Sequence, residues 1–445
     1  MMLLNFFKEK KKKEQTKKVD IRYSKPLPPE IVRLIVLYLK NDKKSLHSCL
    51  LVSRNWCRET VDLLWKQPFH FLYTCNKINS SVTSQSRKSK LYNQQYCCSN
   101  EKRQYQATNL LMTYLLIKHD KEFIEEGIIK AESERITFNY FEFLFVLDLH
   151  ELYYAVKDWN RWNMPISKFN IDNPLPLKFE SIIRYFIMNT SKLQVLSLDT
   201  EFILYEFNNK NPCSFLIDVK VSKYDNNNEY FSYRDNYILK LLIKESKSIQ
   251  FFQFFDNLTE LILTIKENKC EIFLFLSQIC HNIQKLITKT DNRNSTCESN
   301  SLISLIRTQH NLVHFEIFDV PEMYINEILE SLKYSQHNSL RTLILNNVRI
   351  IYNSTILSYL KYLQNLQELR FNNCMCRRNL FFDNEYNKKD IFDEEKNYEE
   401  GLWLPNLKYL QVNFIDENEE EFNELSFILS SILTRCSPLI ISNNI

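Results

Sequence analysis

A short leucine pattern recurs seven times in this chain of 445 residues and constrains its fold more than any other feature. Each copy has leucine or isoleucine, two variable residues, a large apolar residue, one variable residue and usually another apolar residue. The copies begin at positions 193, 258, 283, 312, 340, 366 and 407. Most neighbouring copies are separated by a period of about 20–29 residues, which indicates one supersecondary unit repeated in an array. A single unit of that size cannot bury its apolar side alone.

Two gaps depart from this period. The gap between the copies at 193 and 258 could hide a degenerate repeat and a half, and the gap between those at 366 and 407 contains an acidic insertion at 383–400. Helices are predicted before most copies, at 271–281, 301–310, 326–336 and 355–364. Helices that alternate with strands at this period predict an α/β array, with parallel strands on a concave face and helices on the convex face.

Asparagine stands one or two residues before the first apolar residue of six copies. The six residues are Asn257, Asn282, Asn311, Asn338, Asn365 and Asn406. A helix that turns sharply into a strand needs a left-handed residue, and asparagine is the usual choice after glycine. The chain has only 2 glycines, so we expect these asparagines to be left-handed at each corner. An asparagine-rich composition is the alternative explanation.

Successive side chains of a strand point to opposite faces of the sheet, which predicts the side chains that line the concave face. The leucines point inward, and the strip beside them mixes apolar, aromatic and charged side chains, as a protein-binding surface does. The strip contains Glu260, Ile262, Lys285, Ile287, His314, Glu316, Thr342, Ile344, Glu368, Arg370, Tyr409 and Gln411. The predicted target-binding residues within it are Lys285, His314, Glu316, Ile344, Glu368, Arg370, Tyr409 and Gln411.

Residues 27–69 predict three short helices in succession. Residues 27–30 form an extended lead-in and a first turn, because proline keeps the preceding residue out of the α region and Glu30 complements a helix start. One face of the first helix is then apolar at positions 31, 34, 35, 38 and 39. A second helix is expected after Ser45, and Ser53 is a candidate cap for a third.

These three helices carry more large apolar residues than about 43 residues can bury internally, since small units bury little of their surface. Two interpretations follow from the residues alone. The segment could be a helical cap on a larger core, or a docking module whose surplus apolar surface meets a partner.

The segment resembles an F-box over its full length. The resemblance rests on Leu27, Pro28, Glu30, Ile31, Ile35, Leu39, Leu46, Leu50, Val52, the corner 53–56 with Trp56, and Trp65. It implies that these residues dock on the Skp-family adaptor of cullin-based SCF ubiquitin ligases. The loop 41–44 departs from the family pattern, because Lys43 and Lys44 make it basic where an acidic loop is usual.

The array behind this segment resembles the leucine-rich repeats of the F-box/leucine-rich-repeat family. Cys374 stands where that repeat type places asparagine or cysteine after the strand. The two resemblances together imply a leucine-rich-repeat solenoid preceded by a small all-α module, acting as the substrate receptor of a ubiquitin ligase. The alternative is a repeat scaffold for protein–protein interaction that has no ligase role.

The sequence divides into five regions on this interpretation. They are a basic tail at 1–23, the F-box-like domain at 24–70, a polar linker at 71–107, a helical and strand region at 108–177, and irregular leucine-rich repeats at 178–445.

Enzymatic and cofactor sites are not expected. Gly127 and Gly401 are the only glycines, which excludes glycine-rich nucleotide loops and the GxSxG elbow. The pair His310 and His314 straddles a helix end and a strand, and no cysteine pairs have zinc-finger spacing, so no metal is predicted. A net charge of +3 gives no nucleic-acid signal, and no apolar run reaches membrane-spanning length. The scattered cysteines and the missing signal peptide predict a cytoplasmic or nuclear protein.

Overall fold

A computed structural model of the protein describes residues 26–40, 42–73, 101–117, 121–125, 138–163, 175–199, 254–264, 269–289, 296–352, 359–378, 404–414 and 440–442. The chain forms two compact units, Met1–Leu64 and Trp65–Ile445. The basic tail, the acidic runs at 383–400 and 416–424, the cysteines at 97 and 98 and most of the polar linker lie outside the described residues.

The first unit contains the three helices that the sequence predicts. They are α1 (Pro29–Tyr38), α2 (Lys43–Leu50) and α3 (Arg54–Trp65), whose last residue belongs to the second unit. The cap of α2 is Asp42, whose Oδ1 accepts from the backbone N–H groups of Lys44 (3.0 Å) and Ser45 (3.2 Å). Helix α2 therefore starts earlier than expected, because an aspartate cap competes well with a serine cap.

A small core holds the first unit together. Val32 and Val36 from α1 and Leu46 and Cys49 from α2 are buried. Side chains packed against them are Leu39, Trp56, Leu63 and Leu64. So few buried side chains stabilise a unit of this size only marginally.

The second unit begins with short helices and continues into alternating strands and helices. Its helices are α4 (His70–Tyr73), α5 (Glu101–Leu115), α6 (Lys121–Glu125), a 3-10 helix (Tyr140–Phe143), α7 (Leu149–Asn163), α8 (Leu175–Asn189), α9 (Lys269–Ile279), α10 (Thr296–Arg307) and α11 (Glu322–Ser335). Its strands are β1 (Val146–Asp148), β2 (Val195–Asp199), β3 (Glu260–Thr264), β4 (Lys285–Lys289), β5 (His314–Phe318), β6 (Thr342–Asn346), β7 (Arg349–Tyr352), β8 (Glu368–Arg378), β9 (Tyr409–Phe414) and β10 (Ile440–Ser442). None of the described helices is long and apolar enough to cross a bilayer.

The strands form one parallel sheet that follows the chain. The order is β1-β2-β3-β4-β5-β6-β8-β9-β10, and β7 pairs with β8 beside this path. All seven predicted copies contribute a strand, and each strand starts two positions after its copy begins. Strands β2 and β3 are direct neighbours, as are β8 and β9, so the two long gaps insert no strand between them.

The apolar positions of the pattern stack in register. Leu261 pairs with Leu286, then with Phe315, Leu343 and Leu369 along successive strands. All five are buried, in a core that runs from Phe69 to Leu410. Neighbouring strands therefore bury the apolar residues of the pattern against one another.

Buried glutamines connect successive repeats where helices end. Gln309 donates to the carbonyl of Cys280 (2.7 Å) and accepts from the N–H of Ile283 (3.0 Å). One repeat later, Gln336 donates to the carbonyl of Gln309 (2.8 Å) and accepts from the N–H of Leu312 (3.1 Å). These bonds satisfy backbone groups that a helix end leaves without intrahelical partners.

The left-handed asparagines predicted before the strands were placed wrongly. Among the described non-glycine residues, positive φ occurs at Asp319 (58°), Asn347 (54°) and Asn373 (54°). Asp319 and Asn347 directly follow β5 and β6, and Asn373 lies at a bulge in β8. Among the described residues, asparagine and aspartate do fill left-handed positions, but these positions follow a strand or lie at a bulge within one rather than preceding it.

Four of the six corner asparagines instead join neighbouring repeats. Their side-chain amides donate to backbone carbonyl oxygens of the preceding repeat. The bonds are Asn257 to Ser191 (2.9 Å), Asn282 to Asp256 (3.1 Å), Asn365 to Asn338 (2.7 Å) and Asn406 to Gln364 (2.9 Å). The regular spacing of asparagine therefore reflects a hydrogen bond between repeats rather than a backbone conformation.

A buried ion pair lies in the helical layer at the start of the second unit. Arg103 on α5 contacts Asp158 on α7 with Nε 2.9 Å from Oδ2. The hydroxyl of Tyr73 donates to the same carboxylate at 3.0 Å. Helix α5 starts at Glu101, inside the range predicted to be linker. The polar composition of this range gave no sign that Arg103 is buried in an ion pair.

Candidate functional site

Helix α1 presents large apolar side chains to solvent along one face. Tyr38 is 91% exposed and Leu34 is 63% exposed, with Ile31 and Ile35 beside them in the helical spacing and Leu27 exposed just before the helix. We call these five residues the apolar face. Val32 and Val36, on the other side of the helix, are fully buried. A cluster of exposed apolar residues of this kind marks an interaction surface.

The apolar face is held in place by a fork-shaped ion pair. Both terminal nitrogens of the Arg33 guanidinium donate to the Asp62 carboxylate at 2.7 Å, and Nη1 also donates to the carbonyl of Glu59 at 2.7 Å. The hydrogen bond to Asp62 raises the pKa of Arg33 above its ordinary value. Bidentate pairs fix geometry as well as charge, so α1 is oriented on α3 before any partner arrives.

The expected basic loop is mostly the first turn of α2. Asp42 caps this helix, and its bonds to the Ser45 hydroxyl (2.6 Å) and backbone lower the pKa of its carboxyl. Lys43 is half-buried, and burial lowers the pKa of its ammonium group, whereas Lys44 is exposed. The basic charge therefore lies on an ordered helix start.

The predicted adaptor-binding residues fall into an exposed and a buried group. Leu27, Pro28, Glu30, Ile31, Ile35 and Val52 are exposed; Leu39, Leu50, Trp56 and Trp65 are partly buried. Leu46 is fully buried and holds α2 to α1, so its place is in the core rather than on a binding surface. Leu34, Leu37 and Tyr38 are exposed but were not among the predicted contacts, although the helical spacing included Leu34 and Tyr38.

Trp65 was expected to bind the adaptor, but it packs inside the second unit. Its ring stacks on Tyr140 with centroids 3.9 Å apart and meets Tyr114 edge-on at 5.7 Å. Phe69 lies in the same aromatic cluster, with its centroid 6.1 Å from that of Tyr114. The sequence could not show this, because both tyrosines are distant from Trp65 along the chain and belong to no shared periodic pattern.

Residues 26–70 match the F-box-like family model. This F-box-like module covers α1, α2 and α3 and carries the whole apolar face. A comparison with curated proteins found no match for the chain. The match therefore covers the apolar face, and the last matched residues also belong to the core of the second unit.

The open face of the sheet carries a row of polar side chains, as alternation predicted. Lys285 pairs with Glu260 (Nζ to Oε2, 3.2 Å), and His314 Nε2 lies 3.7 Å from an oxygen of Glu316. Further along the sheet, Thr342 donates to Glu368 at 3.3 Å. The acidic side chains on this face are thus matched by neighbouring donors.

Several polar contacts on this face are centred on Arg370. Its guanidinium pairs with Glu368 and lies 4.8 Å from the ring centroid of Tyr409. The Tyr409 hydroxyl donates to Gln411 at 3.1 Å. Arginine stacked on tyrosine is a combination that recurs where protein interfaces bind most tightly.

Ile344 was predicted to be exposed on this strip, but it is only 7% exposed. It stands directly between Glu316 and Arg370 on the neighbouring strands. An apolar side chain between two longer charged ones is shielded from solvent, as long charged stems cover apolar surface. It therefore supports the strip rather than contacting a target.

The described residues contain no group of three or more histidine, cysteine, aspartate or glutamate side chains that could hold a metal ion. His310 turns to Asn282 (Nδ1 to Oδ1, 3.5 Å), whereas His314 faces Glu316, so the two histidines diverge as expected. Burial raises the pKa of the Cys280 thiol, and Cys374 is buried with its Sγ donating to the carbonyl of Leu345 at 3.4 Å.

Proposed function

We propose that the protein is the substrate-recognition subunit of an SCF-type ubiquitin ligase. The exposed apolar face on the F-box-like module is the observation that carries this proposal. It docks on the Skp-family adaptor of a cullin complex, and the second unit binds a protein target. The chain then acts by holding the target near the ligase and catalyses no reaction itself.

Burial of the apolar face supplies enough free energy for docking. Fully burying a leucine or isoleucine side chain is worth about 1.5–3 kcal/mol. The four leucine and isoleucine side chains of the face are already part-buried. Their further burial therefore contributes on the order of 4–8 kcal/mol before the costs of association. The ordered Arg33–Asp62 pair lowers those costs, because α1 needs no rearrangement.

We propose that the second unit is an array of irregular leucine-rich repeats. The support is its parallel strands in chain order, seven of which carry the leucine pattern, with helices α9, α10 and α11 between strands. The polar strip around Arg370 and Tyr409 is the surface that we expect the protein target to contact.

Capture of the adaptor by the full-length protein tests whether the apolar face binds the adaptor. Ile31→Glu with Leu34→Glu places two charges on exposed positions of the apolar face, so the helices should still form. We expect adaptor capture to fall about tenfold or more, because unpaired charges would be desolvated at the interface. Arg370→Glu on the sheet face is the matched control and should leave adaptor capture unchanged.

The alternative is a repeat scaffold without a ligase role. The basic start of α2, with Lys43 and Lys44, favours it, since the related modules carry an acidic loop there. An adaptor Kd weaker than about 100 μM for the unaltered protein would support the scaffold and contradict the ligase proposal. Unchanged capture by the Ile31→Glu, Leu34→Glu protein would contradict the assignment of the apolar face.

A further inference from the structure

Two lysines lie against tyrosine rings on the helical side of the second unit. The Nζ atom of Lys333, in the last turn of α11, lies 4.1 Å from the ring centroid of Tyr362. It also lies 5.0 Å from the Tyr334 ring and 5.6 Å from the Tyr359 ring. Lys361 approaches the Tyr362 ring at 5.5 Å, so this ring contacts two ammonium groups.

The cationic and hydroxyl groups of this cluster are available to a ligand. In the part of the chain that the structure describes, neither Lys333 nor Lys361 has a carboxylate partner, and Glu330, one turn before Lys333, forms no ion pair with it. The three tyrosine hydroxyls likewise have no hydrogen-bond partner there. Tyr334 is 64% exposed and Tyr362 is 43% exposed.

These groups belong together chemically. An ammonium over a ring is held by the ring's negative face but keeps its three N–H donors for other acceptors. Exposed tyrosines supply apolar contact area at small entropic cost and a donor at the ring edge. The cluster thus combines positive charge, hydroxyl donors and apolar area, and no acidic side chain among the described residues pairs with its lysines.

We propose that Lys333, Tyr334, Tyr359, Lys361 and Tyr362 form a binding surface for an acidic segment of a partner protein. Carboxylates of the segment bind the two ammonium groups and the hydroxyls, and its apolar side chains lie on the exposed rings. This tyrosine–lysine surface shares no residue with the apolar face or with the polar strip on the sheet, so it does not depend on the function proposed above.

An acidic peptide fits the surface better than a nucleic-acid strand does. Binding a strand requires a groove of several cations along the phosphate backbone as well as aromatic platforms. Here there are two lysines, and the whole chain has a net charge of only +3. In a short acidic peptide, carboxylates can meet the two lysines while the apolar side chains between them lie on the three tyrosine rings.

Fluorescence anisotropy with the full-length protein tests this surface. The probe is a fluorescein-labelled peptide of repeated Glu-Glu-Phe units, titrated at low and at physiological salt. We expect binding that weakens with salt, and about a tenfold weaker Kd for the Lys333→Glu, Lys361→Glu double variant. Lys408→Glu, at an exposed lysine elsewhere in the second unit, should bind the peptide as the unaltered protein does.

A second double variant separates the rings from the charges. Tyr334→Ser with Tyr362→Ser keeps both lysines and should also weaken binding, since the apolar contacts are lost. The proposal fails if the unaltered protein does not bind the peptide at low salt or if the double lysine variant binds it equally well. Tighter binding of a labelled single-stranded RNA than of the peptide would also overturn it, as would self-association that the lysine variant abolishes.

Discussion

At the scale of single residues, two buried tyrosines in the second unit show opposite hydrogen-bonding states. Tyr73 donates to Asp158, which also binds Arg103. Tyr114 is fully buried among aromatic rings, and its hydroxyl has no hydrogen-bond partner among the described residues. Burial raises the pKa of both phenols, so both stay neutral in the folded protein.

Replacing each tyrosine by phenylalanine should therefore have different effects. Tyr73→Phe removes a bond to a charged acceptor and should lower the free energy of unfolding by about 1.5–3 kcal/mol. Tyr114→Phe removes a buried hydroxyl that has no partner and should be neutral or stabilising by up to about 1 kcal/mol. Urea unfolding of both variants beside the unaltered protein measures the difference, and equal losses in the two would contradict it.

At the scale of elements, polar side chains set the spacing between repeats. Gln309 and Gln336 each bridge the end of one helix to the next repeat from inside the core. The corner asparagines make comparable bonds from exposed positions. Buried bonds are worth more than exposed ones, because the groups they satisfy have no access to water.

The variants Gln309→Met and Asn365→Ala compare the stability lost with a buried bond and with an exposed bond. Methionine keeps the length of Gln309 but leaves the carbonyl of Cys280 and the N–H of Ile283 without their side-chain partner in the core, which should cost about 2–4 kcal/mol. Asn365→Ala exposes one carbonyl to water and should cost less than about 1 kcal/mol. Thermal unfolding compares them, and a larger loss for Asn365→Ala would refute the argument.

At the scale of the whole molecule, the boundary of the family match differs from the boundary of the folded units. The match ends at residue 70, whereas the second unit begins at Trp65. Trp65 stacks on Tyr140, and His70 pairs with the buried Glu151 (Nδ1 to Oε1, 3.0 Å). The last residues of the F-box-like module are therefore structural parts of the second unit.

Two truncations test this overlap. A chain that starts at Trp65 keeps these contacts and should unfold near the temperature at which the second unit unfolds in the full chain. A chain that starts at residue 71 loses Trp65, Phe69 and His70 and should unfold at a clearly lower temperature, because a large aromatic cavity costs about 3–5 kcal/mol. Differential scanning calorimetry measures both; identical transitions would show that the overlap has no structural role.

Much of the second unit follows from its sequence, because the leucine pattern fixes both the strands and their inward side. The sequence does not show which apolar side of α1 is buried. Val32 and Ile31 are chemically alike, and only the packing of α2 against α1 decides that Val32 is buried. Long-range pairs such as Trp65 with Tyr140 leave no periodic signal at all. Ile344 was misplaced for a similar reason, because its burial depends on side chains of two neighbouring strands.

The chain-ordered sheet has a consequence for synthesis. From β2 to β6 each strand pairs with the strand made immediately before it, so every new repeat meets a finished template as it leaves the ribosome. The structure can therefore grow in one direction, without waiting for distant segments to close large loops. Nascent-chain release at successive repeats should yield progressively longer protease-resistant cores rather than a single late folding event.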